Sequence, residues 1–300
     1  MTSNKISKIT LPMRDGVSAN QVWLPVGDWS TVLAFLAQRF PDISAARWRE
    51  RMIRGDVLDQ QGCAVDPASH YQSGTRLYYY RELESEQAIP FAEIIIYQDE
   101  HIIVVDKPHF LPIAPSGRYL KETLLARLKN KLAMDHLVPL HRLDRETAGL
   151  VIFSKNIATR DAYHALFRQH KISKTYHALA PYNAQNKYPL TYRSRITEAD
   201  DFYRRQEIAG EPNAESIIDV IEIRGDMAVY KLMPVSGKTH QLRVHMAALG
   251  MAIANDPYYP ELTEWKGDDF SFPLQLLAKS IYFIDPITGL EQCFSSKKNL

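Results

Sequence analysis

The residues best suited to chemistry fall in one stretch, His141-Arg142-Leu143-Asp144-Arg145-Glu146-Thr147-Ala148-Gly149, which runs straight into the apolar segment Leu150–Phe153. Asp144 is flanked by two guanidinium-bearing neighbours, Arg142 and Arg145, and a Thr-Ala-Gly turn separates it from the strand that must hold it. Two nearby cations favour the ionised carboxylate, which suits a nucleophile or a counter-charge better than a proton donor. The same residues could also form a solvated turn in which Asp144 only pairs with Arg142 or Arg145.

Three further stretches extend the pattern. They are Lys107-Pro108 after Ile102–Asp106, Lys174-Thr175-Tyr176, and Gly237-Lys238-Thr239-His240-Gln241-Leu242-Arg243-Val244-His245. Taken in order, the four stretches resemble the signature of the RluA-like RNA pseudouridine synthases, and the resemblance covers about residues 90–290. It implies an α+β fold with a mixed, mostly antiparallel central sheet, flanking helices and a catalytic cleft. It also implies isomerisation of a specific uridine in ribosomal or transfer RNA. Asp144 matches the catalytic carboxylate, Arg243 the arginine that pairs with it, and Tyr176 the tyrosine that stacks on the base near C5. Arg142 stands where relatives use an arginine to push the target nucleotide out of its stack, as base chemistry inside folded RNA requires. His141, Lys174, Thr239, His240 and Gln241 are the expected substrate contacts.

The reaction breaks the bond between ribose C1′ and the ring nitrogen, turns the base and rejoins it through C5. Nothing is oxidised and no external group is transferred, so neither a cofactor nor a metal is expected. This chain departs from the family pattern in four places. His109-Phe110 stands where a glycine is usual, Ala148 where serine is usual, Asn255-Asp256 for glycine-aspartate, and Leu277-Ala278 for histidine-alanine. These changes bear on loop geometry and RNA contact more than on the carboxylate.

With 300 residues, 45% of them hydrophobic, the chain can fill one large core or two modest ones. Its formal net charge of +1 excludes a strongly basic protein, so an RNA partner needs Lys and Arg in local clusters. Cys63 and Cys293 stand apart without C-x-x-C spacing, which argues against structural zinc and against a disulfide-built secreted fold. Met1 to Gly16 lacks the apolar segment of a signal peptide, and no apolar run approaches the roughly 20 residues that span a bilayer. A soluble, cytoplasmic, monomeric protein without membrane contact is expected.

The elements that must position these residues read as follows. Residues 1–27 form an irregular arm with an edge strand around Val22–Leu24. In residues 28–81, Ser30 caps a helix that ends before Pro41, and Ser44 caps a second that closes at Gly55 and buries Trp48, Met52 and Ile53. Arg47, Arg49, Arg51 and Arg54 give the second helix a basic face, and strands follow at Val57-Leu58, Gln61-Gly62, Ala64-Val65 and Leu77–Tyr80. This order resembles an S-four-type RNA-binding domain, which would put Arg47, Arg51 and Arg54 on RNA; a helical cap with a solvated arginine face is the alternative. Residues 82–90 read as a linker and 91–300 as the catalytic domain.

In the latter, Ile94–Tyr97 and Ile102–Val105 pair about an acidic turn. Glu122–Leu132 and Asn156 to His170 are amphipathic helices, and Lys174–Ala180 is a strand with Lys174 and Tyr176 on one face. Ser216–Arg224 and Met227–Pro234 form a hairpin, Gln241 to Leu249 a helix, and Ile253–Tyr258 and Leu276–Ile284 close the sheet before a final turn at 285–289. Arg193, Arg195, Arg204 and Arg205, interleaved with Tyr192, Phe202 and Tyr203, form a second basic cluster suited to stacking and phosphate contact, or an ordinary hairpin with exposed arginines. Two other functions fit parts of the pattern: a non-catalytic RNA-binding protein that retains the fold, and a nucleoside-hydrolysing glycosidase. The second needs another carboxylate, for which Glu146 is nearest in sequence but reads more simply as a solvated loop charge.

Overall fold

A computed structural model describes residues 11–201, 203–263 and 269–300, and divides the chain into two units, Met1–Glu86 and Gln87–Leu300. The smaller unit holds β1 (Asn20–Trp23), α1 (Val32–Arg39), α2 (Ala45–Ile53), β2 (Val57–Leu58) and β3 (Arg76–Tyr79). Its three strands form an antiparallel sheet in the order β1-β3-β2. Thr31, not Ser30, caps α1, accepting from the Ala34 N–H, because the Ser30 carbonyl is occupied by the Tyr71 N–H. Ser44 caps α2 as predicted.

The inward face of α2 differs from expectation by one residue. Trp48, Arg51 and Met52 are buried and Ile53 is exposed. Positions three and four beyond Trp48 share its face, whereas the fifth has rotated away. Arg51 accordingly lies under the helix, its guanidinium 5.1 Å from the Trp48 ring and its Nε 3.4 Å from Glu82. Gln61-Gly62 is a turn held by the Asp59 carboxylate, which accepts from the Gln61 and Cys63 N–H groups, and not a strand.

The larger unit comprises β4 (Ile94–Gln98), β5 (Ile102–Lys107), α3 (Leu124–Leu132), β6 (Val138–Pro139), β7 (Ala148–Ser154), α4 (Arg160–Arg168), β8 (Ser173–Pro181), β9 (Leu190–Glu198), β10 (Arg205–Ile208), β11 (Ala214–Arg224), β12 (Met227–Pro234), α5 (Gln241–Ala248), β13 (Leu276–Ile284) and β14 (Glu291–Ser295). Eleven strands make one sheet in the order β10-β9-β11-β12-β8-β13-β7-β5-β4, with β14 on β13 and β6 on β7. Of these pairings only β7 with β13 is parallel, so the expected mixed, mostly antiparallel sheet is what the chain forms. Asn156 makes a turn by accepting from the Ala158 N–H, so α4 starts later than its periodicity predicts. Ile253–Tyr258 is a loop and not a strand, because the Asp256 carboxylate takes the Tyr258 and Tyr259 N–H groups that a ladder would need. β14, which followed an expected final turn, was not predicted.

Register explains how distant stretches meet. Leu232 pairs with Tyr176, Tyr176 with Ala278, Ala278 with Gly149, and Gly149 with Lys107, forming one row across five strands. Three of the four motif stretches thus reach the middle of the sheet side by side. Gly149 is needed there: its φ is +113°, and a Cβ would lie 2.3 Å from the Ala278 carbonyl oxygen. Gly149→Ala is therefore expected to destabilise the fold by about 3 kcal/mol or more, read as a lower urea midpoint, with activity lost as β7 and β13 part.

Candidate active site

The Asp144 loop is short and tied down. Thr147 N–H closes it onto the Asp144 carbonyl, and β7, buried along its whole length, anchors its far end. From β5, the buried Lys107 ammonium donates to the carbonyls of Pro108, Leu111 and Arg145 at 3.0, 2.9 and 3.1 Å. Three donated bonds use all three of its protons, so Lys107 is held as the cation although burial draws its pKa down to about 7, with Glu146 and Asp144 opposing the shift.

Neither sequence neighbour pairs with Asp144. Arg142 is exposed, with no side-chain bond among the described residues, and Arg145 pairs with Glu146 at 3.3 Å. The partner is Arg243, 99 residues away, whose Nη1 donates to Asp144 Oδ2 at 3.2 Å. Only 1% of the Arg243 side chain is exposed, against 25% for Asp144. Its other face is held by Asp256, which accepts from Nε at 2.8 Å and Nη2 at 2.6 Å. The Tyr258 ring lies 4.8 Å from the guanidinium carbon. Asp256, named in the sequence only as part of a departure from the family pattern, is thus the residue that aims the arginine.

Charge follows from this geometry. Burial works against ionised Asp144, but His240, Arg243 and the arginine's hydrogen bond more than offset it, leaving the carboxyl below its ordinary range. Arg243 is the cation that persists at neutral pH, because burial pushes His240 below its usual value even with Asp144 alongside. Burial, and then the charge of Asp144, raises the Tyr176 phenol, so this ring beside the carboxylate stays protonated. Burial also lowers Lys174, which shares the Tyr176 face of β8.

The loop before α5 is built from within. Gln241 donates to the Glu215 carbonyl and Ser216 hydroxyl at 2.8 and 2.9 Å, and accepts from the Ser236 hydroxyl and Lys238 N–H at 2.8 and 3.0 Å. Those four bonds fill its amide, so Gln241 shapes the loop. Thr239 beside it is exposed. Residues Gln241–Met246 are all buried, so α5 is a core helix. His245 fixes it, its ring nitrogens 3.0 and 3.1 Å from the hydroxyls of Ser216 and Ser194. His141 is likewise occupied: its Nε2 accepts from the Ile152 N–H at 3.1 Å, and its ring stacks on Phe167. Glu146, expected in solvent, is buried against Arg145.

Burial holds His245 down to about 4 and His141 down to about 3. Both folded values lie below the ordinary 6.5, so the unfolded chain takes up protons that the folded one refuses. Stability from these two groups is complete above pH 6.5 and declines as pH falls toward the folded values. The urea midpoint is therefore expected to be lower at pH 5 than at pH 7, and His141→Asn should shrink that difference.

Asp144 lines neither of two cavities, of about 400 and 290 Å³. The first is walled by Phe91, Phe110 and Phe270 and includes His109, whose Nδ1 lies 2.7 Å from the Glu146 carbonyl. The second adjoins Val244 and Tyr259. The arginines expected on RNA have protein partners: Arg47 pairs with Glu84, Arg54 with Asp56 and Glu82, Arg204 with Asp201 and Arg205 with Glu198. Phe202 lies outside the described residues.

A profile of the RNA pseudouridylate synthase family matches residues 101–248, the span that contains Asp144, Tyr176 and Arg243. Over that span the chain matches this family, and the relatives it resembles are RNA pseudouridine synthases. It is 29% identical over 241 residues to an uncharacterized RNA pseudouridine synthase of Synechocystis sp., covering 76% of this chain and 79% of that one. With the dual-specificity RNA pseudouridine synthase RluA of Haemophilus influenzae the identity is 29% over 208 residues, 68% of this chain and 93% of its relative. It spans only 30% to 38% of the length of eukaryotic relatives from human, mouse and yeast. Its fold is that of human RNA pseudouridylate synthase domain containing 1, with a TM-score of 0.57 at 23% identity over 71% of this chain and 86% of that one.

Proposed function

We propose that this chain isomerises a specific uridine in ribosomal or transfer RNA to pseudouridine, with Asp144 as the catalytic carboxylate. One observation carries the reading: a partly exposed aspartate is kept ionised by a buried arginine from a distant helix, beside a protonated tyrosine. Asp144 acts at the ribose or the base, Arg243 holds it charged, and Tyr176 supplies the platform for the turned ring. Arg142, exposed and without a side-chain partner among the described residues, is free to displace the target nucleotide from its stack. Lys174 and Thr239 complete the substrate contacts.

The name of the Haemophilus influenzae relative supports a substrate of RNA, and its dual specificity suits either RNA class. The smaller unit adds affinity through Arg47 and Arg54, whose carboxylate partners exchange for phosphates, and the enzyme works as a cytoplasmic monomer. Mapping pseudouridines across the RNA of cells with and without this protein tests the reading and names the uridine. A site present only with the protein is expected; an unchanged map would leave an RNA-binding protein without catalysis.

A further inference from the structure

His240 stands at the head of α5 in the left-handed region, φ 58°, and presents its two ring nitrogens to different partners. Nδ1 is 3.0 Å from the Tyr259 hydroxyl, and Nε2 is 3.7 Å from Asp144 Oδ2. The tautomer follows from counting protons. The Tyr259 oxygen accepts from the Arg205 N–H at 2.7 Å and donates its own proton to the Arg205 carbonyl at 3.1 Å. The arrangement that keeps both Arg205 bonds has Nδ1 donating to Tyr259. The opposite tautomer would strip the Arg205 carbonyl of this bond and leave an Nε2–H too far from Asp144 to bond. His240 therefore turns an unprotonated nitrogen toward the catalytic carboxylate.

We propose that His240 Nε2 is the base that removes the C5 proton of the rotated uracil. This deepens the isomerase reading and rests on it. Once C5 has bonded to C1′, it carries both the sugar and its hydrogen. The C5–H bond then breaks, its electron pair restores the C5–C6 double bond, and the proton bonds to Nε2. N1, which left C1′ with an electron pair, takes up one proton, so the sum is an isomerisation.

The neighbouring groups are poorer candidates. Tyr176 keeps its proton, the three protons of Lys107 are bound to carbonyls, and Glu146 is paired with Arg145. Lys174 has a lowered pKa, but the cause is burial, which disfavours the ammonium it would become. An imidazolium formed at His240 lies beside Asp144, whose charge favours it.

His240→Asn tolerates the left-handed backbone, and its amide can replace the Nδ1–H toward Tyr259 while supplying no basic nitrogen. The substrate is the RNA carrying the mapped uridine, transcribed with either ordinary or 5-deuterated uridine. His240→Asn is expected to lower kcat by about 100-fold or more, to leave KM unchanged, and to reveal a 5-deuterium isotope effect larger than that of the wild type. His240→Gly, which also adopts this φ, should recover rate with added imidazole. Wild-type conversion of the ordinary RNA establishes the isomerase reading independently. Given that, an unchanged rate in His240→Asn, a slowed rate without a larger isotope effect, or a His240→Gly variant insensitive to imidazole overturns the role of His240.

Discussion

Asp144→Asn is expected to abolish pseudouridine formation, a loss of more than roughly 10³-fold, while the protein still folds and still binds RNA. The amide is nearly isosteric with the carboxylate, and its oxygen can accept the Arg243 Nη1–H that Asp144 now accepts at 3.2 Å. The negative charge and the nucleophile are lost. The wild-type carboxyl should stay ionised on mild acidification, because it lies below the ordinary range. A carboxyl with a folded pKa below its unfolded one contributes stability that is complete above the unfolded value and lost as pH falls through the folded value. Asp144→Asn lacks that contribution, so its acid unfolding curve should be shallower than that of the wild type. Single-turnover assays on the mapped RNA, with filter binding and urea melts on the same preparation, separate the three quantities. Wild-type turnover by the variant would remove Asp144 from the mechanism.

The pairing of Asp144 was legible in the sequence only through the family resemblance. Local reading offered Arg142 and Arg145, which are adjacent in sequence, yet short loops point consecutive side chains in different directions, and both arginines went elsewhere. Arg243 comes from α5, and the row from Leu232 through Tyr176, Ala278 and Gly149 to Lys107 is a property of strand register that no single window contains. The hairpin of β11 and β12 could be read because its turn and alternation are local. The loop at 253–258 could not, because its apolar residues look like a strand while the Asp256 carboxylate takes the backbone donors. The partners of the basic clusters were illegible for a related reason: counting arginines on a helix or hairpin ignores the carboxylates that tertiary structure sets against them. Glu82 and Glu84, read as linker charges, are two of these.

Arg243→Met is expected to lower stability by about 3–5 kcal/mol and to abolish activity, because the buried Asp256 carboxylate is left without its cation. That carboxylate has no exposed side-chain surface, and its remaining bonds are the Tyr258 and Tyr259 N–H groups. The double variant Arg243→Met/Asp256→Asn separates the two effects. The amide oxygen introduced by Asp256→Asn would still accept from both backbone donors but carries no charge to desolvate, so much of the lost stability should return. Activity should not return, because Asp144 would still lack the guanidinium that keeps it ionised, and His240, neutral until it takes a proton, cannot replace it. Urea midpoints for the wild type, single and double variants measure the first effect, and turnover on the mapped RNA measures the second. Catalysis recovered together with stability would mean that Arg243 only holds the loop at 253–258 in place, and that Asp144 keeps its charge by some other contact.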